Sequence, residues 1–179
     1  NRGYRACAKP AWLTDSAHDL WHANRHIFEL ERDNPDPVLV CEDDVEFGPI
    51  ARWHEEVPGV DVVNLGATVK TFGHAGMTTH AVIYSARARR RLLEVPVPLR
   101  PHHHDQYMMW ARTGLRYWTP WWPVAYQKHP VTENMQTWAF PELNTRVLEL
   151  LGCTRDAAVC YHRLRSLYYV LQGLVVLGC

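Results

Sequence analysis

Between residues 14 and 33 the apolar residues Ala17, Leu20, Trp21, Ile27 and Phe28 recur at helical spacing, with Thr14, Asp15 and Ser16 as N-cap side chains. An amphipathic helix is predicted here. It must end at Asn34-Pro35-Asp36-Pro37, because proline lacks an amide donor and disfavours the helical conformation of its predecessor. The run Val38-Leu39-Val40-Cys41 that follows is continuously apolar and rich in β-branched residues, the pattern of a strand covered on both faces. Residues 60–65 predict a second buried strand ending at Gly66, and residues 79–85 a third. Residues 86–94 then read as a helix with Arg87, Arg89, Arg90 and Arg91 outward and Leu92 and Leu93 inward. Strands alternating with helices predict an α/β fold with a mainly parallel central sheet flanked by helices.

Beyond Pro101 the pattern changes. His102-His103-His104-Asp105 leads into a short helix predicted over 106–112, and an aromatic, proline-punctuated tract covers 117–126. Residues 142–151 and 156–172 predict closing helices, with Gly152 as a C-terminal stop for the first. A chain of 179 residues with 47% hydrophobic content supports one domain over 1–179, of which 142–179 is a helical C-terminal segment.

Nineteen basic residues balance nineteen acidic ones. No overall field draws the chain to nucleic acid or anionic lipid, so a phosphate-bearing ligand must be held locally. The five cysteines are irregularly spaced without a C-x-x-C pair, and buried free thiols are expected. The apolar stretch 167–179 is shorter than the roughly 20 residues that span a bilayer, and no signal peptide opens the chain. The expectation is a protein without a transmembrane segment, cytoplasmic or associated with the cytoplasmic membrane.

Chemistry concentrates at Glu42-Asp43-Asp44, three consecutive acids directly after an apolar strand. They repel one another, and desolvation disfavours their ionised forms unless a cation or hydrogen-bond donors compensate. A divalent metal is the simplest compensation. With strand alternation, Glu42 and Asp44 share one face and address the ion, while Asp43 turns the other way toward a ligand hydroxyl. A solvated loop at the strand end accounts for the same residues.

The stretch Val38-Leu39-Val40-Cys41-Glu42-Asp43-Asp44-Val45-Glu46-Phe47 resembles the "hydrophobic strand, E-D-D, V, x, F" signature of glycosyltransferase family 25, which includes bacterial lipopolysaccharide glycosyltransferases and collagen galactosyltransferases. Other blocks fall in the family's order: Ser16-Ala17-His18 with Trp21, the run from Asp61 to Gly66, and Thr79-His80-Ala81-Val82-Ile83-Tyr84-Ser85 followed by Ala88 and Leu92-Leu93. Asp105 matches a later aspartate of the family, and the likeness extends over about residues 14 to 127. Val82 stands where the family usually carries an aromatic residue.

The resemblance implies a GT-A type fold, here lacking part of the N-terminal nucleotide-binding strand region. It implies transfer of a sugar from a nucleotide-sugar donor, a UDP-sugar, to a glycan or protein hydroxyl with inversion. Asp44 and Glu42 would hold Mn²⁺ or Mg²⁺; Asp43, His80 and His104 would contact the donor; Asp105 would be the catalytic base. Apart from the resemblance, Gln127, Glu133, Asn134 and Trp121 are candidate acceptor-binding residues, their amide, carboxyl and aromatic groups being suited to sugar hydroxyls and C–H faces; a turn and a helix cap account for Gln127, Glu133 and Asn134 as well. Core packing also accounts for the tryptophans.

Two other readings stay open. Adjacent side chains in an extended stretch cannot all face one ion, so His102 and His104 at most would converge on a metal, and with the acids they suit a metal-dependent hydrolase. A polar loop leading into a helix accounts for them too. The second alternative is a non-catalytic, carbohydrate-binding relative.

Overall fold

The structure is a computed structural model that describes residues 15–48, 59–67, 69–70, 76–94, 114–127, 140–152 and 156–177. Helix α1 (Asp15–Leu30) buries Trp21, Asn24 and Phe28, which the 3.6-residue period sets on one face. Arg25, one turn on from Trp21, lays its guanidinium 4.7 Å over that indole and donates from Nη1 and Nη2 to the carbonyls of Leu92 and Leu93, each at 2.8 Å. Those carbonyls belong to the last turn of α2 (Ala86–Glu94), where intrahelical partners run out. At the other end of α2, Ser85 Oγ accepts from the Ala88 amide at 3.1 Å, an N-cap.

The strands are β1 (Val38–Cys41), β2 (Val45–Phe47), β3 (Val62–Asn64), β4 (Val69–Lys70), β5 (Gly76–Met77), β6 (Ala81–Tyr84), β7 (Tyr117–Trp118) and β8 (Ala125–Gln127). The central sheet has the order β1-β6-β3-β7. Strand β6 is antiparallel to both β1 and β3, and only β3 and β7 are parallel. The expected mainly parallel sheet of GT-A type is therefore overturned: the sheet is mixed and mostly antiparallel. A parallel neighbour needs a long crossover, whereas β6 returns directly beside β1 and β3 after the β4–β5 ladder. An apolar run carries no mark of its direction, so alternation of elements misled. The segment ahead of residue 15, where part of the nucleotide-binding strand region was expected to be lacking, and the helix expected over 106–112 lie outside the described residues.

Register explains the core. Val62 faces Tyr84 across the β3–β6 pair, and both join Phe28, Val82, Ala88, Leu92 and Leu115 beneath α1 and α2. The alternate residues Val63 and Ile83 face the opposite side, with Leu65, Ala81 and Ala125. Strand β1 is an edge strand, and its second face is open: Leu39 is 44% exposed and Cys41 is exposed. Cover on both faces, expected from the apolar run, is thus confined to β3 and β6.

Arg89 corrects another expectation. Predicted outward, it is fully buried and donates from Nε to Glu31 O at 3.1 Å, from Nη1 to Tyr84 O at 2.8 Å and from Nη2 to Asn34 O at 2.5 Å. It pins the chain reversal between α1 and β1. Asp61 is a counterpart on the other side of the sheet edge, its carboxylate accepting from Arg87 Nη1 at 2.5 Å and the Arg116 amide at 2.9 Å.

Helix α3 (Pro141–Leu150) opens with proline, which is pre-organised for a first turn, and is followed by Gly152 at φ +83°, a conformation that favours glycine. Helix α4 (Ala157–Leu177) starts on Asp156, whose Oδ1 accepts from the Val159 amide at 3.0 Å. Its first turns bury Cys160 and Tyr161 against Tyr126. Cys160 is disulfide-bonded, its partner lying outside the described residues, which corrects the expectation of free thiols; Cys41 is free but exposed, not buried. Among the described residues no helix is long and apolar enough to cross a membrane.

Candidate functional site

The ladder between β1 and β6 ends at Cys41 opposite Ala81, and the next amide, Glu42 N, still donates to His80 O at 2.9 Å. There the strand stops. Val45 N donates to Glu42 O at 3.4 Å, closing a turn that carries Asp43 and Asp44 into β2. The three acids therefore sit on a turn, not on a continued strand, and alternation does not govern them. Glu42 and Asp44 are half-buried and Asp43 is exposed.

Pairing of β2 with β8 sets Val45 opposite Gln127. That register brings Gln127 to Glu42, its Nε2 donating to Oε2 at 3.2 Å. Strand β8 also meets His80, which is 1% exposed and hydrogen-bonds through Nε2 to the Ala125 carbonyl at 3.3 Å. The imidazole lies directly over Gly66, where a Cβ would stand 1.9 Å from Nε2, so only glycine admits the ring. Its edge meets the buried Tyr161 of α4 at 5.4 Å between centroids. The turn before it is held by Asn64, whose Nδ2 donates to Thr78 O at 2.5 Å, and Thr78 adopts φ 75°, a strained conformation for a β-branched residue.

Burial disfavours charge on both rings. Desolvation pushes His80 down to about 4, opposed by its hydrogen bond to Ala125 and by the nearby Asp44. Desolvation likewise pushes the Tyr161 phenol upward, a backbone hydrogen bond with Gln127 opposing and the charges of Glu42 and Asp44 adding to it. Both groups are neutral near pH 7, and both feel the acidic turn.

Two buried atoms here lack hydrogen-bond partners: Asp44 Oδ1 and His80 Nδ1. Each is an acceptor waiting for a donor or a cation. Among the described residues no three His, Cys, Asp or Glu side chains gather so that they could hold a metal ion. A carboxylate oxygen without a donor nevertheless fits a hard divalent ion held by one or two protein oxygens and completed by substrate phosphates.

The remaining expected site residues divide. Trp121 is 67% exposed on the loop between β7 and β8 and packs on α4, its ring 5.8 Å from that of Tyr169. The buried Arg165 holds that loop, donating from Nη1 to Pro120 O at 3.0 Å and to Trp121 O at 3.1 Å. Asp105, His102, His104, Glu133 and Asn134 lie outside the described residues. Tyr161, Gly66 and the Ala125 carbonyl were missed: a tyrosine in an apolar helix and a strand-end glycine carry no functional signal in sequence. Comparison of the chain with protein-family models, curated proteins and solved structures finds no match.

Proposed function

We propose that this chain is the body of a glycosyltransferase that moves a sugar from a nucleotide-sugar donor, a UDP-sugar, to a glycan or protein hydroxyl. The observation that carries the reading is the half-buried Asp44, with one carboxylate oxygen buried and donor-free, beside Glu42 on a turn between two strands. The resemblance of 38–47 to family 25 adds the reaction class. Asp44 and Glu42 would hold Mn²⁺ or Mg²⁺, which when bound neutralises charge on the departing nucleotide. Glu42 is oriented for this by Gln127, and that contact gives the amide a positioning role at the turn. Asp43, exposed beside them, would meet donor hydroxyls. Asp105 takes the role of base toward the acceptor hydroxyl.

For location we propose an oxidising compartment, on the strength of Cys160. Cytoplasmic thiols are kept reduced, so a disulfide fits an oxidising compartment better than the cytoplasm expected above. The experiment that tests the function is a donor screen by nucleotide release, with and without Mn²⁺ and with and without acceptor. Release that requires both metal and acceptor is expected. Release without acceptor makes the protein a hydrolase, and glycan binding without any release makes it a binding module.

A further inference from the structure

Helix α4 changes character along its axis rather than around it. Its first half packs on the body of the protein, burying Cys160, Tyr161 and Arg165. Over residues 166–177 the sequence holds no charged residue, and Val170, Leu171, Leu174, Val175, Val176 and Leu177 are between 52% and 86% exposed. Each residue of a helix turns about 100° from the last, so 174–177 alone point to nearly every side of the axis. The exposed apolar surface encircles the helix. Among the described residues nothing stands within 4 Å of a Cβ built on Gly173, in the middle of this stretch.

Whatever covers the stretch must surround it. A second copy of the chain, or any partner helix, packs along one seam and leaves the other faces wet, whereas a helix apolar on all sides is matched by hydrocarbon. The base of the stretch carries the other marks of a lipid boundary. Trp121 and Trp122, both exposed, gather around Tyr169 with ring centroids 5.8 and 5.7 Å away, and Tyr168 lies beside it at 6.5 Å. Such amphipathic rings are enriched where headgroups meet acyl chains. This collar is tied down: Tyr169 Oη donates to Trp121 O at 2.5 Å and accepts from Arg165 Nη1 at 3.2 Å, the buried guanidinium that also holds the Trp121 loop. Arg163 is exposed about 10 Å nearer the body along the axis, which sets a positive charge within reach of lipid phosphates. The stretch 170–177 rises about 12 Å at 1.5 Å per residue, against roughly 30 Å of hydrocarbon in a bilayer. That length fits one leaflet, and among the described residues no helix is long and apolar enough to cross both. We propose that residues 170–177 enter one leaflet of a lipid bilayer end-on, with Trp121, Trp122, Tyr168 and Tyr169 at the headgroup boundary. The proposal does not depend on the sugar-transfer reading.

The test is flotation of the full chain with phosphatidylcholine vesicles, with and without phosphatidylglycerol and at low and high salt. The wild type is expected to float with both compositions and to stay bound in high salt, because burial of apolar surface is not screened. Val175→Asp should weaken binding on the order of a hundredfold, the penalty of carrying a carboxylate into hydrocarbon, while Val175→Leu floats as the wild type does. Val175 is exposed, so the Asp variant should keep the urea midpoint of the wild type in the absence of lipid. If that variant does not fold, lipids brominated near the headgroup read the wild type directly. They should quench its tryptophan emission, and Trp121→Phe together with Trp122→Phe should remove the quenching. Binding indifferent to Val175→Asp, binding lost in high salt, or emission that is not quenched overturns the proposal. So does a chain that stays off vesicles and sediments as a dimer which Val175→Asp dissociates, since that assigns the stretch to a second copy.

Discussion

Arg89 and Asp44 are both charged side chains set into the protein, and their surroundings treat them in opposite ways. Every nitrogen of the Arg89 guanidinium donates to a main-chain carbonyl, from Glu31, Tyr84 and Asn34. Around it Arg25 closes the end of α2, and Asp61 accepts from Arg87 and from the Arg116 amide. At the acidic turn, by contrast, Asp44 Oδ1 and His80 Nδ1 are buried with no donor. Buried polar groups in a scaffold find partners, because an unpaired one forfeits its hydration without return. A place where two remain unpaired trades stability for the capacity to take up a ligand. The contrast separates residues that hold the fold from a place where the fold leaves buried polar atoms unanswered.

Removing Arg89 should have the largest effect. Arg89→Met removes the guanidinium from three carbonyls at the α1–β1 reversal, of which Glu31 O keeps only the Asn34 amide at 3.3 Å, and a loss of roughly 3–5 kcal/mol in urea unfolding is expected. A loss below about 1 kcal/mol would mean that water serves those carbonyls and that the clamp is dispensable.

Acidification probes the other region in the metal-free protein. The ordinary histidine value is 6.5 and His80 is held near 4, so between these values the unfolded chain binds the proton first. The stabilising effect of neutral His80 is complete above the unfolded value, declines as pH falls toward the folded one, and stays lost below it. Over that window stability should drop by on the order of 3 kcal/mol. Unfolding curves at a series of pH values check this, and His80→Asn should flatten the slope; an unchanged slope in the variant assigns the acid sensitivity elsewhere.

Gly66→Ala tests the fit of the ring. The added methyl would collide with Nε2, forcing His80 from the Ala125 carbonyl. An expected loss of about 1–3 kcal/mol, as for other overpacked sites, should come with a shifted His80 Nε2–H signal. Asp44→Asn is the smallest in stability, within about 1 kcal/mol or even stabilising, since Oδ1 has no donor to lose. A much larger loss would show that Asp44 belongs with Arg89 among the scaffold residues.

Local pattern was enough for much of the chain. The period of α1, its end at the prolines, the apolar stretches of β1, β3 and β6, and the whole of α2 follow from spacing and from proline and serine chemistry, which act over one or two turns. The acidic cluster was visible for the same reason, as charge crowded at a strand end. Its turn geometry was not, because the Val45 amide reaches back to Glu42 only once β2 has paired with β8.

By itself, then, the order of residues determined the placing of α1, α2, β1, β3 and β6 and which positions carry unusual charge, because those properties depend on neighbours within a few positions; the short strands β2, β4, β5, β7 and β8 and the end of α4 at Leu177, beyond the expected 172, it did not. Only the tertiary structure decided the rest. The direction of β6 depends on which edges it meets, and identical apolar runs suit either sense. The fate of Arg89, indistinguishable by spacing from its outward neighbours, depends on carbonyls more than fifty positions away. Likewise His80 becomes a buried neutral ring only where β8, Gly66 and Tyr161 converge on it from remote parts of the chain, since burial and tautomer are set by contacts that no local pattern encodes.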